Sequence, residues 1–342
     1  MKILVTGSNG FLGRRVVERL LQSGHRDVRC FVRTGSNTAE LDRVCAGYPD
    51  AKVEVFQGSL GSPAGAAAAL QDVDIVYHLA AGMTGSTADL FLNSVVASKN
   101  LLEAIAQTGL VKVVLVSSFG VYGVADLPPG AMVNEDTPLE SQPQIRDAYS
   151  YSKWRQETLF WDYQKRIGFP LVVVRPGVIY GPSGSPISAR VGLNVFGVFL
   201  HLGGRNPLPL TYVDNCADAI VLAGDSAEAV GNAFNVHDDD LPTCSEYLKL
   251  YRRNYKKLRV VRLPYFALQW VSRVVVNYHK RSKGQLPAIF TPYRTASSWK
   301  RTRFSNAKLK ALGWRPAVSI HEGLRITFDH LNAASLSPST RA

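Results

Sequence analysis

Tyr149 and Lys153, in the run Tyr149-Ser-Tyr-Ser-Lys153, are the residues whose types and spacing could do chemistry. Four residues apart on a helix, they project from one face. An ordinary phenol has a pKa of about 10 and is a poor base near neutrality. A neighbouring ammonium favours the phenolate, which fits such a pair for proton exchange with an alcohol or ketone. The spacing alone is common; its weight comes from what precedes it.

Lys2-Ile-Leu-Val-Thr6 is a short apolar run of the kind that forms a buried parallel strand. Gly7-Ser-Asn-Gly10-Phe-Leu-Gly13 follows, then an amphipathic stretch from Arg14 to Ser23, with Gly24 placed to end a helix. Glycines at a strand-to-helix turn have distinct uses. Gly7 permits the tight turn, Gly10 lets backbone approach a pyrophosphate, and Gly13 lets the helix pack on the sheet. The helix N-terminus then offers free N–H groups to phosphate oxygens.

Three more segments complete a set: Val73-Asp-Ile-Val-Tyr-His78-Leu-Ala-Ala81, Val111-Lys-Val-Val-Leu-Val-Ser117-Ser118-Phe-Gly-Val-Tyr122-Gly123, and Leu171-Val-Val-Val-Arg175-Pro176 running on to Pro182. In this order the motifs resemble the extended short-chain dehydrogenase/reductase superfamily across most of residues 1–330. The resemblance is nearest to its NAD(P)-dependent epimerase/dehydratase and 3β-hydroxysteroid dehydrogenase branches. It implies hydride transfer at a secondary alcohol or ketone, with Tyr149 as acid/base and Ser118 bonding the reacting oxygen. Lys153 would lower the Tyr149 pKa and bond the nicotinamide ribose. Around the cofactor it places Asn9, Phe11, Leu12, Leu79, Ala80, Ala81 and Pro176 beside Gly7, Gly10, Gly13, Tyr149 and Lys153. No metal ligands are implied. Tyr122 reads as a packing aromatic.

Three departures from the family pattern matter. The dehydratases' Asp-Glu pair is replaced by Phe119 and Gly120, which argues against 4,6-dehydration. Ser59 stands where an adenine-contacting aspartate is usual. Ser94 fills the place of a helix asparagine, with Asn93 one residue earlier. Nucleotide-sugar epimerisation and hydroxysteroid-type oxidation or reduction both fit the rest. From a different class, the alternative is a non-catalytic NAD(P)H-binding sensor or scaffold; retention of Ser118, Tyr149 and Lys153 argues against it.

Cofactor choice turns on the end of the second strand, Val28-Arg-Cys-Phe-Val-Arg33. An acidic residue there grips the ribose 2′-hydroxyl of NAD, whereas arginine accommodates the 2′-phosphate of NADP. Arg33 and the lack of a carboxylate favour NADP(H), with NAD as the other candidate.

The elements that must position these groups alternate from residue 1 to about 180. Strand-like runs fall at 2–6, 28–33, 53–56, 73–79, 111–117 and 171–175, and helix-like runs at 11–23, 64–70, 89–107 and 149–167. The expected architecture is α/β, a Rossmann-type doubly wound parallel sheet with a smaller, interleaved C-terminal substrate lobe. Residues 1–180 form the cofactor domain, with returning segments near 208–238. Residues 181–207 and 239–330 form the lobe, and 331–342 a disordered tail. Related enzymes dimerise through the 89–107 and 149–166 helices, which implies a homodimer.

The chain of 342 residues has an ordinary 46% apolar content. Four scattered cysteines without metal-ligand spacing read as reduced thiols of a cytoplasmic protein. The N-terminus starts on the first strand, so no secretory leader is expected, and no apolar run reaches the roughly 18 residues of a membrane span. The net charge of +12 is unevenly spread. Residues 251–315 hold 17 Lys or Arg and no Asp or Glu, which leaves the rest of the chain at −5. Three readings compete: a site for an anionic substrate, attraction of the lobe to an anionic membrane surface, and a solvated basic face. Pro264 to Val276, followed by Lys280, Arg281 and Lys283, reads as an aromatic-bearing helix, so residues 263–283 are where a peripheral membrane contact is expected. A hydrophobic alcohol or ketone would suit the apolar Val191–Leu200 stretch. Nucleic-acid binding has no support beyond charge.

Overall fold

A computed structural model describes residues 1–109, 112–281 and 291–336. In chain order the elements are β1 (Lys2–Thr6), α1 (Phe11–Gln22), β2 (Asp27–Arg33), α2 (Ala39–Ala46), β3 (Lys52–Gly58), α3 (Pro63–Ala69), β4 (Ile75–His78), α4 (Thr87–Phe91), α5 (Ala97–Thr108) and β5 (Lys112–Val116). There follow β6 (Ala131–Val133), α6 (Ala148–Ile167), β7 (Leu171–Pro176), β8 (Val178–Tyr180), β9 (Gly192–Val195), β10 (Val198–His201), β11 (Leu210–Tyr212), α7 (Val213–Asp225) and β12 (Ala233–Val236). The chain ends with α8 (Cys244–Asn254), β13 (Val260–Arg262), α9 (Tyr265–Arg281), α10 (Pro292–Trp299), β14 (Thr302–Phe304), α11 (Ala307–Ala311) and α12 (Ile320–Leu336).

Seven parallel strands run in the order β12-β7-β5-β4-β1-β2-β3. The order reverses between β1 and β4, the switch point where such sheets open a crevice at their carboxyl ends. Continuous apolar strands need cover on both faces. Ile3 and Val5 point to a core closed by α1, α2 and α7, while Leu4 and Val76 point to one closed by α3, α5 and α6. The smaller lobe contains the three-stranded sheet β13-β10-β9, with α9 and α10 packed together beside it.

Four expectations change. The 89–107 helix is interrupted: α4 and α5 are joined through a π-helical turn at Leu92–Val96, where the buried Ser94 Oγ accepts from the Gly82 N–H at 2.9 Å. The Ala131–Val133 strand, counted with the cofactor domain, pairs with β14 of the lobe. Leu309 and Trp314, counted with the lobe, belong to the core under α1 and α7. Finally, residues 331–336, expected in a disordered tail, continue α12; residues 337–342 lie outside the described residues, as does Lys283. The helix α2, between β2 and β3, carried no expectation.

Candidate active site

The β1–α1 turn presses backbone against backbone. Gly7 adopts φ +71°, and a Cβ there would lie 3.0 Å from the Ala80 nitrogen at the end of β4. A Cβ on Gly13 would stand 2.0 Å from the Gly7 carbonyl oxygen. Nothing larger than hydrogen fits either place. Gly10, the N-cap of α1, has no side chain to fold back on the helix, so the first N–H groups remain available to an anion.

This turn borders a cavity of about 1160 Å³. Gly7, Asn9, Gly10, Phe11, Leu12, Gly13, Arg33, Leu79, Ala80, Ala81, Tyr149 and Lys153 all line it, together with Ser118. Pro176 does not. It ends β7, paired with Val236, and the next residues, Gly177 and Val178, take the cavity wall. Arg33 is exposed at the end of β2, and no ion pair holds it among the described residues. Asp147, far along the chain at the N-cap of α6, is the one carboxylate among the lining residues. A glycine cradle and an uncapped helix start together fit the pyrophosphate of a dinucleotide.

Ser118 follows β5, and its Oγ accepts from the Gly120 N–H at 3.1 Å. Tyr149 lies in the first turn of α6, which Asp147 caps by accepting from the Ser150 N–H at 2.9 Å. The Tyr149 phenol is pushed above its ordinary value, chiefly by burial; a hydrogen bond with the Ser118 side chain pulls it back, and the nearby Asp147 charge adds to the rise. The net direction is thus opposite to the lowering expected from Lys153. The Lys153 ammonium is directed elsewhere: it donates to the Val116 carbonyl at 2.7 Å and to the Gln156 side-chain oxygen. Burial lowers the Lys153 pKa to about 7, partly opposed by the Glu157 charge.

Behind Lys153 runs a buried polar network that motif spacing does not announce. The Gln156 amide donates to Ser98 Oγ at 2.8 Å and to the Ala80 carbonyl at 3.2 Å. His78 bridges Ser98 Oγ at 2.9 Å and Thr6 Oγ1 at 2.8 Å. Desolvation, with a smaller push from the Lys153 charge, holds the His78 pKa down at about 3, so its ring is neutral. One chain of side chains therefore ties the ends of β1 and β4 to α5 and α6. Spacing alone could have placed Gln156 next to Lys153, one turn on.

Beyond Ser118 the wall changes character. Phe119 stacks on Phe304 with ring centroids 5.2 Å apart, and no carboxylate occupies the place of the dehydratase pair. Tyr122 is buried, donates to Asn235 at 2.6 Å and packs against Phe119, as its packing reading required. Ser59 sits at the cavity edge, bonded through its Oγ to the Gly61 N–H. Asn93 is turned to the Asp89 carbonyl at 2.8 Å. Arg190 was not foreseen. It lines this end of the cavity 5.7 Å from the Phe304 ring, and no carboxylate among the described residues stands at ion-pair distance.

The model of the NAD dependent epimerase/dehydratase family matches residues 3–236. Among curated proteins, the mouse (Mus musculus) sterol-4-alpha-carboxylate 3-dehydrogenase, decarboxylating, is 27% identical over 96% of this chain and 91% of its own. An uncharacterized UDP-glucose epimerase of Bacillus subtilis is 27% identical over 69% of this chain and 76% of its own. Among solved structures, the UDP-glucose 4-epimerase of Thermus thermophilus in complex with NAD is 26% identical, covers 98% of this chain and 100% of its own, and superposes with a TM-score of 0.70.

Proposed function

This chain belongs to the NAD-dependent epimerase/dehydratase family, and from that premise we propose that it oxidises, reduces or epimerises a secondary alcohol or ketone at the Tyr149–Ser118 pair. A bound nicotinamide would supply or take up the hydride. Tyr149 exchanges the proton on the substrate oxygen, and Ser118 donates to that same oxygen and steadies charge developing on it. Because burial keeps the phenol protonated, it is an acid first. In the oxidative direction the Lys153 charge, one helical turn away, must offset that burial before a phenolate can form. The observation that carries the reading is that Tyr149, Ser118 and Lys153 line the same cavity as the Gly7–Gly13 cradle, with the Ser118 side chain near enough to the phenol to oppose its rise in pKa.

NADP(H) is the favoured cofactor, on the strength of Arg33 and the carboxylate-free end of β2. The substrate is an anionic or a hydrophobic alcohol or ketone. Arg190, short of a carboxylate partner, suits an anionic group, while Phe119, Leu193 and Trp299 offer apolar wall. The relatives named above act, by name, on a sterol carboxylate and on UDP-glucose; both are anionic, and the sterol is in addition largely apolar. A homodimer through α5 and α6 is supported by Val96, an exposed apolar residue at the end of the π-helical turn that packs on α6.

The test is Tyr149→Phe assayed with nucleotide-sugar and hydroxysteroid panels in the presence of each cofactor. Turnover should fall by about 1,000-fold or more, in keeping with loss of an acid/base, while cofactor binding persists. Unchanged turnover would remove Tyr149 from the chemistry. Absence of turnover on any alcohol or ketone, with binding intact, would favour the sensor.

A further inference from the structure

We propose that α9 docks the protein on an anionic lipid surface. Phe266, Trp270, Val274 and Tyr278 recur every four residues along this helix and are 77%, 64%, 46% and 58% exposed. At about 100° per residue they cover one sector of the helix, while the buried Leu268 and Ser272 fall on the opposite side. That opposite side is firmly held. Ser272 Oγ bonds Thr295 Oγ1 of α10 at 2.7 Å, and Leu268 packs with Leu202 and Trp299. The aromatic stripe is therefore a covered helix's outer face, fixed in place and presented to solvent.

Three large aromatics and a β-branched residue in one row are costly to leave in water, and they match what an interfacial helix buries at the headgroup boundary. The charge around the stripe selects the occupant. Arg273 and Arg281 are exposed on the same sector, within a region of 17 cations and no anions between residues 251 and 315. Two copies of this chain meeting through α9 would bring those cations face to face. Anionic headgroups would neutralise them while the acyl boundary takes the rings. No helix among the described residues is long and apolar enough to cross a membrane, so α9 lies along the surface.

Docking would also place the cavity close to lipid. Trp299, which packs with Leu268 of α9, is itself a cavity-lining residue of α10. The proposal concerns where the protein sits, and it stands whether or not Tyr149 turns over substrate.

The experiment is flotation of the full chain with vesicles of phosphatidylcholine alone and of phosphatidylcholine mixed with phosphatidylglycerol. The wild type should float with the mixed vesicles, be released by high salt, and stay behind with the neutral ones. Phe266→Ser/Trp270→Ser should weaken partitioning by about tenfold or more, with an unchanged circular-dichroism melt because both side chains are already in water. Arg273→Gln should weaken it further and reduce its salt dependence. Failure of the wild type to float with mixed vesicles would overturn the proposal. So would equal flotation by the double variant, since charge alone would then explain binding. A concentration-dependent doubling of mass that the double variant abolishes would assign the stripe to a second copy instead.

Discussion

Gln156 holds Lys153 from within the same helix: its side-chain oxygen accepts from the ammonium while its amide reaches Ser98 and the Ala80 backbone. The cation behind the proposed acid/base is thus anchored by neutral groups, with the nearest charge, Glu157, bonded to Arg175 and Ser117. Neutral anchoring leaves the burial penalty on the lysine largely uncompensated, which is why its pKa falls.

Gln156→Leu should therefore cost about 2 kcal/mol of stability, because it strips a buried ammonium of one partner and leaves Ser98 short of a donor. Urea unfolding compared with wild type measures it. A loss within a few tenths of a kcal/mol would mean that the network is dispensable.

The sign of the lysine effect with pH can be worked out. Lys153 titrates near 7 in the folded protein and near its ordinary 10.5 when unfolded. Between those values the unfolded chain binds the extra proton, so stability from this group rises with pH across the window. Below 7 both states are protonated and the burial penalty is fully present. Relative to Lys153→Met, the wild type should gain stability as pH goes from about 7 to about 9.5, read from paired urea titrations. A difference that is flat with pH would contradict the lowered pKa.

Gly13→Ala tests the cradle. Its Cβ would meet the Gly7 carbonyl at 2.0 Å, so the β1–α1 turn must move as a backbone unit. We expect a loss of about 2–4 kcal/mol and a dinucleotide affinity at least tenfold weaker, by thermal melting and NAD(P)H fluorescence titration. Wild-type affinity would show that the turn does not hold the pyrophosphate.

Arg33→Ala tests cofactor choice. If the guanidinium meets a 2′-phosphate, the variant should lose NADPH affinity by about tenfold while NADH affinity stays within about twofold. A wild type that binds the two cofactors equally, or a variant with unaltered preference, would leave NAD as the cofactor.

Much of this was legible in the chain because it rests on local rules. The Gly7–Gly13 turn is a strand-to-helix junction whose glycines are dictated by sterics, and continuous apolar runs such as Leu171–Val174 can only be doubly covered strands. Contacts between distant residues were not legible. The site's polar backing joins Thr6, His78, Ser98 and Gln156, each unremarkable in its own segment. The π-helical turn at Leu92–Val96 is likewise invisible to a helical period, because one extra residue is absorbed where Ser94 turns to meet Gly82. The rise of the Tyr149 pKa has a related reason. Spacing put an ammonium one turn away, but the direction of that ammonium and the burial of the ring depend on packing from other elements.

The most direct test is a crystal structure of the full chain with NADP(H) or NAD(H). The account predicts the pyrophosphate at the Gly7–Gly13 turn and the nicotinamide C4 lying within about 4 Å of where a carbinol carbon would sit beside the Tyr149 and Ser118 hydroxyls. A nicotinamide seated away from that pair, with Tyr149 turned from it, would contradict the account.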